Sequence, residues 1–140
     1  MRVLLDTDVV LDFVLEREPF AEAAGKLFEL AAQGVYDAYV SAVTPVNIFY
    51  LGRKVKGGDA TKQAISNLLA AVQVCLVDQN VLNGALALPF ADYEDAVQHA
   101  SAMASRLDAI VTRNLDDYKN AALPVFTPAD FLDHLKAQQP

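Results

Sequence analysis

Arg2-Val3-Leu4-Leu5-Asp6-Thr7-Asp8-Val9-Val10-Leu11-Asp12 is the stretch that decides the fold. Residues 3–5 are apolar at consecutive positions, the pattern of a central parallel strand covered on both faces. Asp6 and Asp8 follow at once, and a second apolar run then predicts a short helix over residues 9–15. A strand, an acidic turn and a helix make the first unit of an α/β protein, whose ligands bind beyond the carboxyl ends of the strands.

Outward from this unit the alternation continues. A helix after Pro19 turns Phe20, Ala24, Leu27, Phe28 and Leu30 inward and ends near Gly34. Strands are predicted over residues 36–41, 72–77, 109–112 and 125–126. Thr44-Pro45 reads as an N-cap followed by proline at the first helical position, opening a helix to about Lys56 that Gly57-Gly58 breaks. Asp59 or Thr61 starts the next helix, to about Ala71, and a short one covers residues 79–87. Asp92 caps a longer helix over residues 93–106, with Val97, Ala100, Met103, Ala104 and Leu107 as its inward stripe. A turn covers residues 114–118, and Thr127-Pro128 repeats the cap-plus-proline device before a last helix over 129–136. The expected fold is a three-layer α/β/α sandwich around a mostly parallel sheet of four to five strands.

At 140 residues the chain is expected to form one domain with a full core. No apolar run reaches the length of a membrane span, and no basic region with a cleavable apolar stretch marks a signal peptide. The lone Cys75 lies in an apolar segment with no histidine near it in sequence, so it reads as a buried structural thiol in a protein of the reducing cytoplasm. A net charge of −7 argues against a general nucleic-acid binder, which carries a basic face. It leaves room for a carboxylate-lined metal site, where a bound cation reverses the local sign.

The candidate chemistry sits in short polar clusters beside apolar runs: Asp6 to Asp8, Asn47, Asp92 to Asp95, and Asn114 to Asp117. Carboxylates gathered at the ends of parallel strands bind hard divalent cations, and such cations cleave phosphodiesters. Several positions have a structural reading as well. Asp8 reads as a helix cap or a metal ligand, Asp12 as an anchor behind the ligands or an exposed helix residue, and Asp92 as the N-cap that leaves Asp95 facing the cleft. Thr7 and Thr112 read as hydrogen-bond partners of a carboxylate or a phosphate, or equally as turn residues. Arg53, Lys54 and Arg113 are the candidate phosphate contacts, the first two equally a solvated helix end. His99 and His134 are not spaced as a metal pair, and there is no glycine-rich phosphate loop.

Four of these segments, in this order, resemble the PIN-domain ribonucleases, toxin members of VapC type included. They are the opening Val3 to Asp12, the stretch Asp92-Tyr93-Glu94-Asp95-Ala96-Val97-Gln98, the stretch Ile110-Val111-Thr112-Arg113-Asn114-Leu115-Asp116-Asp117-Tyr118, and Phe126 to Leu132. The resemblance spans nearly the whole chain. It implies Asp6, Asp95 and Asp117 as catalytic metal ligands for Mg²⁺ or Mn²⁺, with Asn47, Asn114, Thr112, Asp8 and Asp92 in support. It also implies RNA as substrate, a homodimer and a small antitoxin protein as partner. Asn47 departs from the pattern, which has a glutamate on the helix after the second strand. An amide oxygen brings no charge to a cation.

Three rival readings remain. A degenerate PIN domain would bind RNA or protein without cleaving. A phosphatase of haloacid-dehalogenase type fits the Asp6-Thr7-Asp8 opening but lacks a suitably placed lysine. A receiver domain could use Asp78 but finds no lysine after the last strand.

Overall fold

The computed structural model describes residues 1–139. Among them, five parallel strands form one sheet in the order β3-β2-β1-β4-β5. The strands are β1 Arg2–Leu5, β2 Asp37–Ser41, β3 Gln73–Cys75, β4 Ala109–Val111 and β5 Val125–Phe126. The helices are α1 Thr7–Val14, α2 Ala21–Ala32, α3 Val43–Lys56, α4 Gly58–Ala71, α5 Gln79–Leu86, α6 Tyr93–Ala104 and α7 Pro128–Gln138, and a 3₁₀ turn covers Leu115–Tyr118.

Side-chain alternation along β1 assigns the layers. Val3 and Leu5 pack with Leu27, Ile48, Leu68 and Phe131 of α2, α3, α4 and α7. Leu4 faces the other way, with Tyr39, Ile110 and Ala102 of α6. Val81 and Ala85 of α5 join α6 on that second side. The sheet is therefore covered on both faces, the expected α/β/α sandwich. None of the described helices is long and apolar enough to cross a membrane.

Strand order places the site. The chain winds outward from β1 through β2 to β3, then returns to lay β4 on the other side of β1. Such a reversal leaves a crevice at the carboxyl ends of the two strands where the winding changes direction. Leu5 lies beside Val111, and the Asp6 N–H donates to the Val111 carbonyl at 3.0 Å. Asp6 and Thr112 thus leave the sheet side by side.

Several local expectations are corrected. Asp6, not Asp8, caps α1: its backbone is extended and its carboxylate accepts the Thr7 N–H. Thr44 caps nothing. The helix has already begun at Val43, and Thr44 is buried with its hydroxyl 2.9 Å from that of Thr7, because a buried hydroxyl needs a partner. Phe20 lies outside the core, 40% exposed, with the Arg113 guanidinium 3.9 Å above its ring. On α6 the buried face is Ala96, Val97, Gln98, His99, Ser101 and Ala102, whereas Met103 and Ala104 are exposed. Of the expected stripe Val97 and Leu107 are buried and Ala100 is partly so, and the buried face turns from Met103 and Ala104 toward the polar Gln98, His99 and Ser101. β3 is shorter than residues 72–77, an edge strand with Leu76 exposed beyond it. The caps at Asp92 and Thr127 are as expected, accepting from the N–H groups of Asp95 and Asp130.

Gly57, at a φ of 84°, makes the turn between α3 and α4 in a backbone region glycine occupies freely. Gly52 has a different role, allowing the two helices to approach closely. A Cβ there would stand 2.8 Å from Thr61 Cγ2, and Thr61 cannot swing aside because its hydroxyl donates to the Gly57 carbonyl at 2.7 Å. Gly52→Ala gains about 1 kcal/mol of helix propensity but overpacks this contact by about 2–3 kcal/mol. The expected net result is a destabilisation of about 1–2 kcal/mol in urea unfolding; an unchanged or raised midpoint would show that the helices separate freely.

Candidate active site

The ends of β1 and β4 and the first turns of α1 and α6 bring the acidic clusters together. Asp6 is buried, and its carboxylate accepts the Thr112 hydroxyl at 2.6 Å on one oxygen and the Thr7 N–H at 2.7 Å on the other. Thr7 N–H is shared with the amide oxygen of Gln98 at 3.2 Å, tying α1 to α6. Asp8 accepts the Asn114 side-chain amide at 2.8 Å on Oδ2, while its Oδ1 is buried with no partner. Asp95, half-buried near the start of α6, has the Tyr118 hydroxyl 3.5 Å from its Oδ1.

The electrostatics are those of crowded acids. Burial holds the Asp6 carboxyl above the ordinary range, against the opposing pull of hydrogen bonds from Thr112, Gln98 and Thr7. Asp8 is pushed up to about 7, first by burial and then by the charge of Asp6. Asp95 is also pushed up to about 7, by burial and then by Asp6, Asp92, Asp117 and Glu94. The Tyr118 phenol is raised by burial and by the same carboxylates. Among the described residues, no lysine or arginine forms an ion pair with Asp6, Asp8, Asp95 or Asp117.

The sequence-predicted residues distribute unevenly. Asp6, Asp8, Asp95, Thr112 and Asn114 converge. Asp117 is exposed at the rim, close enough to raise Asp95, and Asp92 is the α6 cap. Asn47 lies one turn beyond Thr44 on the same face of α3, at the end of that helix nearest the cluster. Arg53 and Lys54 are exposed about 9–10 Å beyond Asn47 along the α3 axis, and Arg53 stacks on the Tyr50 ring at 4.8 Å. Arg113 does not project as a free phosphate contact: it forks on buried Asp12, Nε to Oδ2 at 2.6 Å and Nη2 to Oδ1 at 3.2 Å. Asp12 is thus buried and ion-paired, not an exposed helix residue. Among the described residues no three acidic, histidine or cysteine side chains already enclose a point for an ion.

Three contributors escaped sequence reasoning: Gln98, Tyr118 as a hydroxyl donor, and Thr44. Gln98 could have been found, since it sits three residues after Asp95 on the same helical face. Thr44 and Tyr118 reach the site through tertiary contacts that no local pattern shows.

The PIN domain profile matches residues 2–116. Among solved structures, VapBC2 from Rickettsia felis bound to a promoter DNA fragment is 15% identical, covering 91% of this chain and 98% of that one, with a TM-score of 0.73. DNA-bound VapBC from Salmonella typhimurium is 16% identical over 91% and 98%, with a TM-score of 0.72. VapC20 of Mycobacterium tuberculosis, described as a sarcin-ricin-loop-cleaving toxin, is 14% identical over 77% and 86%, with a TM-score of 0.64. At these identities the likeness is one of fold. No curated protein matches the sequence significantly.

Proposed function

The chain belongs to the PIN-domain family, and from that premise we propose that it is a divalent-metal-dependent endoribonuclease acting in the cytoplasm as the toxin of a toxin–antitoxin pair. The observation that carries this reading is the convergence of Asp6, Asp8 and Asp95 with no ion pair to any of them among the described residues, the charge of Arg113 only partly offsetting the rise at Asp8. Such a cluster is stable only when protonated or when a cation sits in it. Its donor set is hard oxygen throughout, and Asp8 Oδ1 is buried with no partner, so the residues fit Mg²⁺ or Mn²⁺ rather than a soft metal.

Asp6, Asp95 and Asp117 would hold the ion, with Asp8, Asn47 and Asn114 around it. An ion bound there supplies Lewis-acid polarisation of a phosphoryl oxygen and a more acidic water. The protein supplies the rest. Thr112 and the Thr7 N–H fix both oxygens of Asp6, and Asn114 fixes one oxygen of Asp8. The N-termini of α1 and α6 lie at the cluster, and their partial positive charge favours its ionised form. Arg53 and Lys54 remain available to distant phosphates. The solved VapBC complexes of the same fold support an antitoxin partner and, with it, binding of promoter DNA by the complex. A homodimer would build the groove for single-stranded or loop RNA.

Incubation with mixed single-stranded RNA is expected to give cleavage with Mn²⁺ or Mg²⁺ and none with chelator. Folded protein that binds RNA but cleaves with neither metal would establish the degenerate reading instead. Asn47 gives that alternative its weight. Asn47→Glu adds a charged oxygen donor to the site and is expected to tighten Mn²⁺ by about tenfold. Calorimetric titration of the two proteins checks this, and equal affinities would place residue 47 outside the metal's reach.

A further inference from the structure

Thr112, Arg113 and Asn114 follow β4 directly, and each takes hold of a different aspartate. Thr112 donates to Asp6 at 2.6 Å and Asn114 to Asp8 at 2.8 Å. Between them Arg113 forks on Asp12, four residues beyond Asp8 and so on the same face of α1. Asp12 is 1% exposed, which makes this pair part of the interior rather than a surface contact. Arg17 closes the arrangement from the other side, donating to Asp12 Oδ1 at 2.9 Å and to the Asp8 carbonyl at 3.3 Å. Phe20 supports the Arg113 guanidinium from below.

We propose that Arg113 and Asp12 are positioning residues of the cleavage centre. Their two-point ion pair fixes the segment after β4 against α1 and so sets where Thr112 and Asn114 hold Asp6 and Asp8. This rests on the nuclease reading above. A single hydrogen bond fixes a distance, but a planar fork on a carboxylate fixes orientation as well. Single hydrogen bonds hold Thr112 and Asn114 on either side, and between them the fork is the one two-point contact among the described residues of this loop before the 3₁₀ turn. The competing role, a direct phosphate contact, would need the guanidinium to leave Asp12 buried with only Arg17 for a partner.

The two roles respond differently to lysine. An ammonium is a good phosphate partner but cannot bridge both carboxylate oxygens of Asp12 in the plane of a fork. Arg113→Lys and Arg113→Met are therefore compared with the wild type, with thermal melts as the check of folding. Two readouts are made: Mn²⁺ affinity of metal-free protein by calorimetry, and kcat and KM on an RNA oligonucleotide at saturating Mn²⁺. Both variants are expected to bind Mn²⁺ about ten- to a hundredfold more weakly, and to lower kcat while KM stays within about twofold. Rescue by lysine with a change confined to KM would overturn the proposal in favour of a phosphate contact. Unchanged Mn²⁺ affinity in both variants would overturn it and leave the nuclease reading intact. A wild type that takes up no Mn²⁺ would remove that reading and the proposal together. Arg113→Lys keeps the charge beside Asp12, so the comparison survives if Arg113→Met does not fold.

Discussion

Asp6→Asn is expected to abolish cleavage, by about a thousandfold in kcat, while making the metal-free protein more stable. A loss of that size corresponds to about 4 kcal/mol of transition-state stabilisation, within the several kcal/mol a Lewis acid supplies at a phosphoryl oxygen. The stability gain has a separate origin. Asp6 is a buried carboxylate whose ionisation is disfavoured by burial, and it faces Asp8 and Asp95. Asparagine keeps an oxygen for the Thr7 N–H, and its amide can donate to Thr112 once that hydroxyl rotates to accept. The hydrogen bonds survive and the cost of burying an ionisable carboxyl does not, so a higher melting temperature is expected in chelator. Melting and cleavage assays on the same preparations read both effects. Cleavage that survives the substitution would remove Asp6 from the chemistry. A fall in stability with loss of activity would mean the variant is merely damaged.

The opposed signs follow from the proposed role of Asp6 as a cation ligand, which sets its chemistry against the stability of the metal-free chain. Natural sequences break local rules chiefly at functional positions, and here the broken rule is the burial of Asp6 and Asp8 with no ion pair to either among the described residues. Much of the framework was legible before the structure. Val3-Leu4-Leu5 could only be a strand covered on both faces, and Asp92 and Thr127 cap the helices they were expected to cap. The boundary errors have one cause. Asp6 and Asp8 are both capable caps, and the choice depends on Asp6 having extended backbone, which tertiary pairing of β1 with β4 imposes. Thr44 was misread for the same reason, since its partner Thr7 is distant in sequence. The buried face of α6 was placed only in part, at Val97, Ala100 and Leu107, because Gln98, His99 and Ser101 carry the rest and apolar periodicity is blind to a polar interior. Carboxylates beside apolar runs drew attention to Asp6, Asp8 and Asp95, and the resemblance supplied their expected roles. The network that holds them was not legible, because Arg113 and Asp12 are 101 positions apart.

The pH dependence of the metal-free protein tests the electrostatic half of this account. Asp8 and Asp95 ionise near 3.8 when unperturbed, and each is pushed up to about 7 in the fold. Below about pH 4 both are protonated whether the chain is folded or not, and their burial costs nothing. Between pH 4 and 7 the unfolded chain releases these protons while the folded chain retains them, so stability falls as pH rises and levels off above about 7. Three pH units on one group amount to about 4 kcal/mol. Asp95 is half-exposed and screened by solvent, and Asp8 shares its repulsion with Asp6, so the joint loss is expected to be about 2–4 kcal/mol. Millimolar Mn²⁺ should recover that loss at pH 8 and do little at pH 5, because binding requires the ionised carboxylates. Urea unfolding at pH 5 and pH 8, each with chelator or Mn²⁺, measures all four states. Asp8→Asn should flatten the chelator slope without touching the rest of the fold. A metal-free protein as stable at pH 8 as at pH 5 would show that the carboxylates are not crowded, and the case for a cation among them would lose its physical basis.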